Sequence, residues 1–190
     1  MASPRAPDGG ADVPPEEVMF STAVRAEQNR RGARAAYACR AAAGRFQREL
    51  SAEVIQFIAE RNSAYLATAA ADGRPYVQHR GGPPGFLRVL DERTIAFVDY
   101  AGNRQYISTG NLAENERAFL FLMDYAAARR LKIWGSASVV GGDAQLFARL
   151  VDPGYSARIE QAIVFTVLAW DWNCSQHIPR LVPAADASEG

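Results

Sequence analysis

Five consecutive residues, Gly102-Asn103-Arg104-Gln105-Tyr106, combine types and a position suited to holding a phosphate. They follow the apolar run Thr94-Ile95-Ala96-Phe97-Val98-Asp99-Tyr100 and precede residues 107–115, which read as a helix. An arginine therefore falls where a strand turns into a helix. Backbone N–H groups and the positive end of the helix dipole point outward at such a junction, and a guanidinium beside them can grip phosphate oxygens through two parallel hydrogen bonds. Taken alone, an arginine after a strand is more often a solvated turn residue, so the rest of the chain must decide.

Other reactive constellations are thin. Cys174-x-x-His177 has the spacing of half a metal site, but the other half would have to come from Cys39 or His79 far away in sequence. No Gly-x-Ser-x-Gly elbow is present, and Ser175 two residues before His177 does not make a triad, which argues against a serine hydrolase. The Ala/Arg-rich stretch 24–48 could be a nucleic-acid arm, yet it lacks aromatic stacking platforms. A helix packing across a dimer, or a solvated face, suits it better. Trp134 reads as a packing residue.

The elements that must position these groups follow from composition and periodicity. At 190 residues the chain suits one domain with a full core. Lys+Arg and Asp+Glu each number 21, so no global field draws it to nucleic acid or to acidic lipid. Two cysteines are too few for a disulfide scaffold and point to reduced thiols in the cytoplasm. No run approaches the ~18 apolar residues of a membrane span. The first twenty residues carry four prolines and no signal-like apolar core, and read as a flexible tail. Residues 21–50 read as a helical extension, with Val24, Gln28, Arg31 and Arg34 at helical spacing.

Ser51 offers an N-cap and Val54, Ile55, Phe57 and Ile58 an apolar face, predicting a short helix over about 51–61. After it come strands at 64–70 and 75–80 around the hairpin signal Asp72-Gly73, then a Gly81-Gly82-Pro83-Pro84-Gly85 loop. Further strands are predicted at 86–90, 94–100, 117–125, 130–140 and 159–170. Phe119-Leu120-Phe121-Leu122-Met123 is apolar on both faces, as in a strand covered on both sides. Short strands with few small helices predict a mainly β chain, a closed or nearly closed β-barrel. A doubly wound α/β sheet would need long alternating helices and a Gly-x-Gly-x-x-Gly turn, both missing here.

With the strands placed, the segment from Ala96 to Tyr106 resembles the phosphate-binding strand and turn of the pyridoxamine 5′-phosphate oxidase-like flavoproteins. Residues 77–87, 111–115 and 171–180 are similar to one bacterial branch of that family, and the likeness covers about residues 51–180. It implies a six-stranded FMN-binding split barrel over 51–180, followed by a C-terminal tail at 181–190. It also implies a homodimer with two FMN sites at the interface, each lined by both chains. Arg104 and the helix start after Asn103 would hold the FMN phosphate. Gln78, His79 and Arg80 would pass along the ribityl chain and ring, and Asp99 and Tyr100 precede the phosphate turn. Arg130 would reach the flavin from the partner, and Trp172, Gln176 and His177 would cap the ring. Where the oxidases proper carry Ser-Arg-Lys this chain has Asn103-Arg104-Gln105, and Arg80 is the cation that could replace the missing lysine.

The function so implied is an FMN-dependent oxidoreductase that exchanges a hydride between flavin and a small organic substrate, with oxygen or NAD(P)H as the second electron partner. The alternative is a flavin-binding or carrier protein without turnover, since related barrels also bind deazaflavin F420 or haem. A structural module with an empty barrel is the third reading. No nucleic acid and no membrane is expected as a partner.

Overall fold

The computed structural model describes residues 13–172 and 175–181. Expectations placed on Asn173, Cys174 and the two outermost ends of the chain lie outside the described residues. Six helices are present among those described: Pro15–Met19 (α1), Thr22–Arg30 (α2), Arg34–Ala42 (α3), Ala52–Ala59 (α4), Ile107–Glu114 (α5) and Ala144–Leu150 (α6). The strands are Ser63–Ala69 (β1), Pro75–Gly81 (β2), Arg88–Asp91 (β3), Thr94–Tyr100 (β4), Arg117–Asp124 (β5), Arg129–Val140 (β6) and Ile159–Trp172 (β7). They form one antiparallel sheet in the order β2-β1-β5-β6-β7-β4-β3, a mainly β split barrel. One more strand forms than the six that the resemblance implies, and the sheet ends on the four-residue β3.

Local chemistry explains the punctuation. Gly73 takes φ +87° at the β1–β2 turn, where Asp72 accepts the Arg74 N–H at 3.2 Å. Ser51 caps α4 by accepting the Val54 N–H at 3.4 Å, and Val54, Phe57 and Ile58 on its inner face join the main core. That core is built from alternate residues of the strands: Leu66 of β1, Leu120 and Leu122 of β5, Leu131 and Ile133 of β6, and Phe165 of β7. A smaller cluster lies on the outside, where Leu146, Phe147 and Leu150 of α6 cover Ala96 and Val98 of β4 and Ala162 of β7.

The N-terminal extension differs from one continuous helix. Arg31, Gly32 and Ala33 break it into α2 and α3, with Gly32 at φ +72°, and none of α1, α2 or α3 buries a residue. Helix α1 lies within the stretch 1–20, where the sequence predicts only a flexible tail. Phe20 fastens the base of the extension, meeting Tyr37 and Phe46 edge-on at 5.4 and 5.3 Å between centroids. No helix among the described residues is long and apolar enough to cross a membrane.

The barrel is split because β2 and β4 are not hydrogen-bonded neighbours. Side chains close that seam. Arg80 of β2 pairs with Asp99 of β4, and both side chains are nearly buried, at 11% and 13% exposure. Gln161 of β7 donates to Asp99 at 2.9 Å and to Thr109 of α5 at 2.8 Å. Ser108 of α5 donates to Gln78 of β2 at 3.0 Å, and Asn111 donates to Thr68 of β1 at 3.0 Å. Helix α5 thus lies across the gap, tied to both sides by polar groups.

On the far side of the sheet the register of β6 against β7 shifts at Trp134/Gly135. A Cβ on Gly135 would lie 2.1 Å from the Thr166 carbonyl oxygen and 2.4 Å from the Phe165 ring, so only glycine fits. The variant Gly135→Ala should therefore lose about 3 kcal/mol of stability by overpacking. Its melting temperature should fall by roughly 6 to 12 °C in calorimetry. At the seam, Asp99→Ala leaves a nearly buried guanidinium without its counter-ion and should cost about 3 to 5 kcal/mol in urea denaturation. Replacing both partners, Arg80→Met with Asp99→Leu, should recover most of that loss, because the expense lies in the unpaired charge.

Candidate functional site

Strand β4 ends at Tyr100, and residues 101–106 turn the chain into α5. The turn is unusual in its backbone. Arg104 and Tyr106, neither of them glycine, adopt left-handed φ of 58° and 52°. Asn103 folds its side chain back to accept the Gln105 N–H at 3.2 Å. Tyr106 is the residue at which α5 begins, and no side chain caps that end. The first N–H groups of α5 have no acceptor within the helix, and Ser108 and Thr109 of this first turn line the cleft.

This cleft has a volume of about 250 Å³ and opens directly over the seam. Its walls come from β2 (Gln78, Arg80), β4 (Asp99, Tyr100), the turn (Gly102 to Tyr106), α5 (Ser108, Thr109) and β7 (Glu160). The charges are arranged unequally. Asp99 is held by Arg80, and Glu160 is held by Arg158 at 3.0 Å. Arg104, exposed on the turn, forms no ion pair with any described carboxylate. Arg80 places its Nε in a buried position without a hydrogen-bond partner. The cleft therefore offers one uncompensated guanidinium, one unsatisfied guanidinium nitrogen and a helix start, a donor set that favours an oxyanion. Burial pushes the Tyr100 phenol above its ordinary pKa, reinforced by Tyr155 and Asp152, so it stays protonated and can donate.

Seven of the residues picked out from the sequence meet here: Gln78, Arg80, Asp99, Tyr100, Asn103, Arg104 and Gln105. His79 does not. Neighbouring strand residues point to opposite faces, so Gln78 and Arg80 turn toward the cleft while His79 is exposed on the outer face, against the Tyr65 ring at 5.8 Å. Arg130 and Trp172 lie at the opposite end of the barrel. Glu160 and Trp172 belong to the same strand, twelve residues apart, or roughly 40 Å at the usual rise. Trp172 packs edge-on against Phe57 at 4.9 Å, with the Arg129 guanidinium 4.3 Å from its ring centre. Gln176 and His177 follow in the C-terminal segment, where the Leu181 N–H reaches the Tyr125 carbonyl at 3.4 Å. None of these four is among the residues that line the cleft.

Several contributors escape a reading of the sequence. Ser108 and Thr109 carry a legible signal, since hydroxyls at a helix start are common donors and acceptors. Glu160 and Gln161 carry none, because their place beside the turn depends on the pairing of β7 with β4.

The family model for pyridoxamine 5′-phosphate oxidase matches residues 50–181, more than two thirds of the sequence. No curated protein matches the chain. Among solved structures, a point variant of HupZ from Group A Streptococcus superposes with a TM-score of 0.54 at 16% identity, covering 65% of this chain and 99% of its own. A candidate pyridoxamine 5′-phosphate oxidase from Lactobacillus delbrueckii gives 0.50 at 20% identity, covering 66% and 95%. A Clostridium acetobutylicum protein related to general stress protein 26 of B. subtilis, of the pyridoxinephosphate oxidase family, gives 0.50 at 14%, covering 68% and 89%. At such identities these superpositions speak to the fold, and they agree with the split barrel described above. The family-model match over most of the barrel assigns the chain itself: it belongs to the pyridoxamine 5′-phosphate oxidase family.

Proposed function

We propose that the protein is an FMN-dependent oxidoreductase that works as a homodimer, with the FMN phosphate held in the cleft between β2, β4 and α5. The observation that carries this reading is the unequal charge arrangement of the cleft. Both carboxylates are already paired, while Arg104, the Arg80 Nε and the start of α5 remain as donors. A phosphate fits that set. Gln105 stands where the oxidases carry lysine, and Arg80 supplies the second cationic donor. Because one of its nitrogens is committed to Asp99, Arg80 contributes a directed N–H bond more than a free charge.

The size of the cleft bears on the partner. A volume of about 250 Å³ is smaller than most ligand pockets, which run from ~300 to 1,000 Å³. One chain can take the phosphate and adjacent chain of FMN and leave the ring outside. The outer face of β2, β1, β5 and β6 offers what would cover it. Val77 is 59% exposed there, Phe119 faces Trp134 and Phe121 faces Lys132, all with only partial cover. An aromatic patch of this kind, bordered by the Lys132–Asp171 pair, suits a second copy of the chain. A partner so placed would carry Arg130, Trp172, Gln176 and His177 toward the first chain's ring.

The redox chemistry, hydride exchange at flavin N5 with a small organic substrate, belongs to FMN. The residues of this chain would anchor the phosphate, donate to it from Arg104 and α5, and exclude water along the seam. Oxygen or a nicotinamide would complete the cycle, and the scarcity of cysteines fits a cytoplasmic setting.

The protein should take up FMN in a titration followed by flavin fluorescence. Arg104→Ala should weaken binding by about 1.5 to 3 kcal/mol, roughly a 10- to 150-fold rise in Kd. Protein that stays colourless after incubation with FMN, or that shows a haem Soret band instead, overturns the reading. Reduction of the bound flavin by NAD(P)H with reoxidation by a candidate substrate separates an enzyme from a carrier. In sedimentation the wild type should behave as a dimer. Phe121→Arg, which places a charge on the outer apolar face, should yield a folded monomer with weakened FMN binding, and a monomeric wild type would remove the dimer from the proposal.

A further inference from the structure

The turn that presents Arg104 is held by a contact at the rim of the cleft, between Tyr106 and Glu160. Arg104 has no side-chain partner among the described residues, so the backbone of residues 102–106 is what sets the point from which its side chain reaches toward the cleft. That backbone is strained at two positions. Left-handed φ at Arg104 and Tyr106 brings Cβ against the following carbonyl, and persists only where the surroundings hold it. The Asn103 side chain supplies one hold, within the turn.

The other hold crosses to a different element. The Tyr106 hydroxyl donates to Glu160 Oε1 at 3.3 Å, and the Arg158 guanidinium grips the same oxygen at 3.0 Å. Alongside, the Ala101 N–H donates to the Arg158 carbonyl at 2.8 Å, fastening the start of the turn to the same stretch of chain. A bare carboxylate at the rim of an anion cleft would repel the ligand. With Arg158 neutralising it and Tyr106 donating to it, Glu160 becomes a fixed post. The Tyr106 ring then acts as a strut between that post and the first residue of α5.

We propose that Tyr106 and Glu160 are positioning residues for phosphate recognition: their hydrogen bond sets the strained turn that aims Arg104 and the α5 N–H groups at the anion. This rests on the phosphate reading of the cleft, and its consequence is selective. Loss of the strut should affect the phosphorylated flavin and leave the unphosphorylated one untouched.

The test compares Kd values for FMN and riboflavin in the full-length protein. In wild type, FMN should bind more tightly than riboflavin. Tyr106→Phe keeps the ring and removes only the hydroxyl of a residue that is 49% exposed, so its melting temperature should equal that of wild type. Its Kd for FMN should rise about three- to tenfold, as for loss of one hydrogen bond, while its Kd for riboflavin is unchanged. Glu160→Ala also frees the Arg158 guanidinium at the rim, so the other end of the contact is read from the pair: in a Glu160→Ala background, adding Tyr106→Phe should cause no further loss of FMN binding, as expected for two ends of one contact. Equal weakening of both flavins, no weakening of either, or additive losses would overturn the strut. A wild type that binds the two flavins equally would instead remove the phosphate seat itself, a result visible before any variant is made.

Discussion

The ion pair between Arg80 and Asp99 is the constraint on which the rest of the site depends. The sheet stays open between its end strands β2 and β3, and β3 pairs with only the first part of β4, so the end of β4 that carries Asp99 has no ladder toward β2. The gap could have been filled with apolar side chains. Instead it holds two opposite charges, two glutamines, three hydroxyls and the Asn111 amide, joined to one another largely through one short helix, with only the Arg80 Nε left over. A nearly buried ion pair gives little net stability when set against a well-packed apolar alternative. What it does give is a fixed direction for every polar group that looks into the cleft. Helix α5 is held there by Ser108, Thr109 and Asn111, which orients its free N–H groups and, through them, the turn before it.

The two ends of the barrel then play different parts. At one end the seam, the turn and α5 make a small polar cleft. At the other, Trp172 and Phe57 meet edge-on with the Arg129 guanidinium over both rings, beside Arg130. Between them runs an outer face whose aromatic residues lack a cover in the single chain. The run 119–123, apolar on both faces, is fully covered on only one of them within the chain. Leu120 and Leu122 are buried in the barrel, while Phe119 and Phe121 stay half-exposed on the opposite face.

How much of this can be read from the sequence varies with the range of the interaction. The β1–β2 hairpin follows from Asp72-Gly73, and α4 from Ser51 with its apolar face, because the deciding contacts lie within a few residues. The same holds for the turn at Arg104. Helix α6 has a comparable signal, with Asp143 accepting the Leu146 N–H at 2.9 Å ahead of an apolar face, yet its seven residues between glycines and a proline are too short to stand out by periodicity. His79 shows the other limit. Resemblance carries over three consecutive residues, whereas a strand can turn only alternate ones to a given face, and the register with β1 decides which. The separation of Arg130 and Trp172 from the cleft is not legible either, since it is set by pairings between β6, β7 and β4 far apart in the chain.

The position of β7 between β6 and β4 also dictates when the barrel can form. Thr94 of β4 faces Thr166 of β7, 72 residues later, so β4 leaves the ribosome long before its central neighbour exists. Until then only the short β3 can pair with it, and the edge bearing Ile95 and Phe97 stays open. Closing so distant a pair is slow compared with forming the hairpins. During synthesis the nascent chain therefore carries an unpaired apolar strand edge until β7 arrives to join the β3–β4 hairpin to the four strands β2-β1-β5-β6.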